Sequence, residues 1–100
     1  MDRFSNINTI LAFVTVAREG SVSRAAEVLH LTQPAISHQL KRLSEETGII
    51  LFTRTPTGVQ ITQDGAAMLD KAEQVLDAMT EFRRSARQRI GRVSSKLRIG

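Results

Sequence analysis

Residues 21 to 43 read SVSRAAEVLHLTQPAISHQLKRL, and two helical patterns within them are separated by only two residues. Val22, Ala25, Ala26 and Leu29 recur at the i, i+3, i+4, i+7 spacing of one helix face, and Ile36, Leu40 and Leu43 form a second such stripe. Ser21 and Thr32 precede them, each a hydroxyl suited to accept from the free amides of a first turn. His30 and Leu31 are all that remains to connect the two, and a histidine in so tight a turn tolerates positive φ better than most residues. The first pattern covers about two turns, too few to persist alone in water, so tertiary packing must hold it. Helix, tight turn, helix is the outline of a helix-turn-helix.

The flanking sequence completes a fold. Upstream, Ile7, Ile10, Leu11, Val14 and Ala17, widened by Phe13, form another helical stripe, with Asn6 as N-cap and Gly20 as its stop. Pro34 falls in the first turn of the third helix, where a missing N–H costs nothing, and Gly48 ends that helix. From Ile49 the runs IILFTR and GVQIT, separated by Thr55, Pro56, Thr57 and Gly58, predict a β-hairpin, which needs the helices to lean on. From Gln63, capped by Thr62 and with Asp64 in its first turn, to about Ile90, no proline interrupts a helix of about 42 Å. Met68, Ala72, Val75, Met79, Phe82 and Ala86 alternate by four and three, the spacing of a coiled-coil seam that Leu69 and Leu76 widen. So long a stripe exceeds what a small body can cover, which calls for a second chain. After Gly91, RVSSK reads as a hinge and LRIG as the start of a strand. The fold class is therefore mainly α: a winged helix-turn-helix of three helices and a two-stranded wing, followed by a long dimerising linker helix. The domains are 1–62, the winged helix-turn-helix; 63–90, the linker helix; and 91–100, a hinge and the beginning of a further domain.

Composition excludes more than it selects. Without cysteine there is no disulfide, iron–sulfur cluster or thiol chemistry. No run approaches the roughly 18 apolar residues of a membrane span. The first residues, MDRFSNIN, have no basic segment leading into an apolar one, so a cytoplasmic location is expected. The net charge of +4 favours anionic partners, but residues 1–62 carry six basic against five acidic side chains, while residues 82–100 carry seven basic and none acidic. That basic run is either a solvated helix end complementing the dipole or a secondary contact to nucleic acid or a partner. His30 and His38 have no carboxylates at ligand spacing, and nucleophile and phosphate-loop motifs are absent. No metal, no cofactor and no enzymatic activity are expected in this segment.

The third helix is the informative one. At 100° per residue, Ile36, Leu40 and Leu43 point one way, and Pro34, Ser37, His38, Lys41 and Glu45 the other, with Gln33 and Arg42 to either side. The outer face is short and almost uncharged in its first half and basic one to two turns later. A helix entering a major groove needs compact donors and acceptors near base edges and longer cations reaching phosphates. An ordinary solvated face is the alternative. Thr32 caps an N-terminus whose free amides suit an anion. Arg54, beside the hairpin turn, is either a plain surface arginine or a phosphate clamp.

The segment AREGSVSRAAEVLHLTQPAISHQLKRLSEETGIILFTRTPTGVQITQDG resembles the amino-terminal DNA-binding domain of the LysR-type transcriptional regulators, over residues from about 4 to 90. The A-A-x-x-L-x-x-(S/T)-Q-P-A-x-S pattern lies at Ala25 to Ser37, L-F-x-R at Leu51 to Arg54, and T-x-x-G at Thr62 to Gly65. The resemblance implies a bacterial regulator that binds double-stranded DNA and dimerises through antiparallel linker helices, with Met68, Ala72, Val75, Met79, Phe82 and Ala86 as the seam. It also implies a small-molecule inducer bound to a further domain, and a tetramer for the full-length protein. Carried over by position, Gln33, Pro34, Ala35, Ser37 and His38 meet base edges and nearby backbone, while Thr32, Lys41 and Arg54 hold phosphates.

This chain departs from the family pattern twice. Many members have arginine at the position of His38, so the bidentate guanine contact is replaced by a single donor or acceptor. Many have a basic residue at the wing tip, where Thr57 stands. A different base preference and a weaker non-specific affinity are expected. The rival reading is a winged-helix module that pairs proteins through its long helix and ignores DNA, supported by the low charge of residues 1–62.

Overall fold

The chain forms α1 (Ile7–Glu19), α2 (Val22–Leu29), α3 (Gln33–Thr47), β1 (Phe52–Thr55), β2 (Gly58–Ile61) and α4 (Gln63–Ile99), the winged helix-turn-helix with a long final helix that the sequence predicts. The computed structural model describes residues 6–99, with side chains as far as residue 91.

The helix ends are set locally. Asn6 Oδ1 accepts from the Thr9 amide at 3.0 Å, and the hydroxyls of Ser21 and Thr32 accept from the amides of Arg24 and Ala35, both at 3.2 Å. Such caps contribute about 1 kcal/mol each. Gly20 and Gly48 terminate α1 and α3 in the left-handed region. His30 does the same for α2 at φ 58°, the one positive φ on a non-glycine among the described residues, as its place in the tight turn predicts.

α1 is the central element, because it contributes to both halves of the core. Its Ala12 and Val16 pack with Ala25 and Ala26 of α2 and Ile36 of α3. Its Phe13 and Val14 pack with Leu43 of α3, Leu51 and Ala72 of α4. The Phe13 ring meets Phe52 of the wing edge-on, with centroids 5.6 Å apart. Full burial of a side chain such as Phe13 or Ile36 is worth about 1.5–3 kcal/mol, which holds the short α2 that could not stand alone.

The wing is antiparallel, with Thr55 opposite Gly58 and Phe52 opposite Ile61, closed by a two-residue turn of Pro56 and Thr57. Its first strand begins later than the apolar run IIL suggests. Ile49 and Leu51 turn inward and Ile50 outward, 69% exposed, so the run alternates like a strand, but β2 ends opposite Phe52, and the Thr62 amide, donating to Leu51 O at 3.0 Å, is the last rung before the chain enters α4. The Val59 amide donates to Gly20 O at 3.2 Å, and any Cβ at Gly58 would collide with that carbonyl, so only glycine lets the wing rest on the α1–α2 corner.

Thr62 joins wing to linker helix: its hydroxyl accepts from the Gly65 amide at 2.9 Å and donates to Ile50 O at 2.5 Å. Met68, Leu69 and Leu76 then lean on the second core cluster and Ala72 is 4% exposed within it. Two members of the expected dimer seam, Met68 and Ala72, are thus occupied by their own chain. Periodicity reveals that a stripe is apolar and not what covers it. The exposed Arg18–Glu73 pair at 3.5 Å adds little to this contact. Farther on, the helix leaves the body, and the molecule extends 63 Å along one axis against 27 and 23 Å. It remains helical through Gly91 to Ile99, where the sequence predicts a hinge and a strand start. One exposed glycine costs a helix about 1 kcal/mol, too little to stop one that no proline interrupts.

Candidate nucleic-acid interface

α3 is held by one face. Ile36 and Leu43 are buried and Leu40 packs against both core clusters. The opposite side leaves Thr32, Gln33, Pro34, Ser37, His38 and Lys41 exposed, with Ala35 half-buried between them. The stripe and the outward face thus lie as the helical projection predicts. Thr32 accepts from the Ala35 amide, so its oxygen is engaged in capping while its proton can still donate to a phosphate.

The structure brings Arg54 to this helix. The side chain comes from β1, and together with Ser37 and Lys41 it lines a cleft of about 250 Å³ between α3 and the wing, floored by Leu40, Phe52 and Val59. Sequence spacing does not place residues 41 and 54 together; the wing's seat on the α1–α2 corner does. Among the described residues neither Lys41 nor Arg54 makes an ion pair, whereas Arg42, on the flank of α3, reaches Glu46 at 3.8 Å. Two uncommitted cations across an open cleft, beside a short and nearly uncharged helix surface, suit a polyanion whose charges run along an edge.

Ser44 and Thr53 also line the cleft and were not anticipated. Ser44 Oγ donates to Ile49 O at 2.6 Å, tying the end of α3 to the segment that leads into the wing. No periodic signal marks such a residue; its only trace in the sequence is a small hydroxyl just before the Gly48 stop. At the wing tip Pro56 and Thr57 are exposed and carry no charge.

Elsewhere, no group of three or more His, Cys, Asp or Glu among the described residues could hold a metal ion, and no helix among them is long and apolar enough to cross a membrane. Along α4, Val75 and Phe82 are 43% and 74% exposed, and Met79 and Ala86 are half-buried. These four are the part of the expected seam that the body leaves uncovered.

Residues 7–66 match the family described as bacterial regulatory helix-turn-helix protein, lysR family. The uncharacterised HTH-type transcriptional regulator YdcI of Escherichia coli is 42% identical over 88 residues, which are 88% of this chain and 29% of that protein. The chain spans between 26% and 65% of the length of the first curated relatives it matches. Among solved structures, the complex of the BenM DNA-binding domain with catB site 1 DNA superposes with a TM-score of 0.78 at 31% identity, covering 86% of this chain and 96% of that one. The complex of the CbnR DNA-binding domain with DNA gives 0.77 at 29% identity, covering 82% and 94%. These relatives are regulators, not enzymes.

Proposed function

The chain belongs to the lysR family of bacterial helix-turn-helix regulators, and from that premise we propose that it reads double-stranded DNA sequence-specifically, as a dimer, to control transcription. The observation that carries this reading is the cleft between α3 and the wing, where the unpaired Lys41 and Arg54 flank the short outer face of α3. With α3 in a major groove, Gln33, Pro34, Ala35, Ser37 and His38 meet base edges, and Thr32, Lys41 and Arg54 hold phosphates. That BenM and CbnR DNA-binding domains of the same architecture were solved on DNA supports it.

Residues 1–62 are the reading head and 63–90 the linker. Val75, Met79, Phe82 and Ala86 pair two such helices, which spaces the recognition helices by whole turns of DNA, about 34–36 Å. Residues 91–100 lead from the linker toward an inducer-binding domain in the full-length protein. That protein is a cytoplasmic tetramer whose inducer alters the half-site separation or the DNA bend.

Titration against random duplex at two salt concentrations tests the reading. Affinity falls steeply as salt rises, with a slope near −0.9 per phosphate contact, and Arg54→Ala reduces that slope by about one contact on every sequence. A protein-pairing module would show neither effect.

A further inference from the structure

Given the reading that α3 enters a major groove, we infer that a part-buried hydrogen bond between Thr9 and Gln39 sets how α3 is rolled in that groove, which makes Gln39 a positioning residue for base recognition. Thr9 Oγ1, on α1, donates to Gln39 Oε1, on α3, at 2.6 Å across thirty residues of sequence. Thr9 is 1% exposed. Its backbone is fixed by the amide donating to Asn6 Oδ1 at 3.0 Å, and its hydroxyl lies 3.3 Å from the same oxygen.

The remaining contacts of α3 with α1 are apolar, through Ile36, Leu40 and Leu43. Burial of methyl groups is non-directional, so the apolar stripe decides which face of α3 turns inward without fixing the last degrees of its roll. A hydrogen bond does decide it, since it weakens steeply with distance and angle. Two further polar ties, Ser44 Oγ to Ile49 O and the Ile49 amide to Thr47 Oγ1, lie toward the helix C-terminus, away from the base-facing residues. Side-chain tips stand about 6 Å from a helix axis, so a roll of about 10° moves them by about 1 Å. That displacement is comparable to the whole range of an acceptable hydrogen-bond length at a base edge. Ser37 and His38, on the outward face, move with the helix.

The test begins with duplexes enriched from a random pool by the wild-type chain. Dissociation constants are then measured for an enriched duplex and a scrambled one, at two salt concentrations, with thermal unfolding in parallel. Thr9→Val, which keeps the shape and removes the hydroxyl, and Gln39→Leu each lower the preference for the enriched duplex by about 5-fold, near the worth of one hydrogen bond, while scrambled-duplex affinity and salt slope stay unchanged. Thr9→Ser keeps the preference. Two independent variants keep the test decisive if one of them melts early. The inference is overturned if both variants discriminate like wild type, or if both duplexes weaken equally with a shallower salt slope, which would make Gln39 a phosphate contact. A wild-type chain that enriches no duplex overturns the DNA reading itself.

Discussion

Along α4, Leu69, Ala72 and Leu76 lie against the body of their own chain, whereas Phe82 and Ile90, on the same helix, stand 74% and 65% exposed. The apolar spacing is continuous across both halves. What differs is the length of α1, whose 13 residues run out before α4 does. The first half of α4 is therefore part of the folding unit, and the second half carries an apolar stripe that none of the other described residues covers. One helix anchors the domain at one end and offers an association surface at the other, so substitutions along it separate into those that unfold and those that dissociate.

Ala72→Glu makes the strongest break in that contrast. It puts a carboxylate without a partner into the second core cluster and costs about 4 kcal/mol, a large share of the stability of a domain this size. Urea unfolding followed by circular dichroism shows it as a midpoint shift or outright loss of the fold. If the variant instead folded normally and only lost self-association, Ala72 would belong to the seam and not to the core. Phe82→Glu gives the opposite pattern. Monomer stability stays within about 0.5 kcal/mol, and the dimer in sedimentation equilibrium weakens by about 2 kcal/mol, a dissociation constant raised roughly 30-fold. An unchanged dissociation constant would remove Phe82 from the seam.

The contrast also explains what the sequence could reveal. Caps at Asn6, Ser21 and Thr32, the stops at Gly20 and Gly48 and the αL turn at His30 were legible, because each depends on a residue's chemistry within three or four positions of itself. The outward face of α3 was legible because its inward stripe is. Partnership was not. Met68 and Ala72 fit a heptad equally well whether α1 or a second chain covers them. The pairing of Arg54 with Lys41 across the cleft depends on where the wing docks, and Thr9–Gln39 links positions thirty apart that no periodicity connects. Ile49 to Leu51 read as strand because the run IILFTR is β-branched or apolar, yet a strand is defined by its ladder, and β2 ends opposite Phe52.

A smaller effect marks the joint where the anchored half begins. Thr62→Val keeps the shape and removes both the cap on Gly65 and the bond to Ile50 O, costing about 1 kcal/mol. Amide exchange accelerates over the first turn of α4 and the base of the wing, while residues 82 to 90 exchange as before. Acceleration confined to those last residues would mean that the helix is held from its far end.

The smallest effect concerns Gly91, at which the sequence suggests a hinge and the structure continues as helix. A hinge uses glycine for backbone angles that other residues resist, and alanine there would strain it. In the helix the φ of Gly91 is not positive and a Cβ at this position meets nothing within 4 Å. Gly91→Ala therefore raises helix stability by about 0.5–1 kcal/mol, through both intrinsic propensity and the smaller freedom of the unfolded chain. The measurement is far-UV helicity against temperature, in which the last segment to fray melts a few degrees later. Lost helicity would restore the hinge and limit the free half of α4 to the stretch between Leu76 and Ile90. A gain would mean that Gly91 lies within continuous helix, so that the linker does not bend where the sequence suggests it.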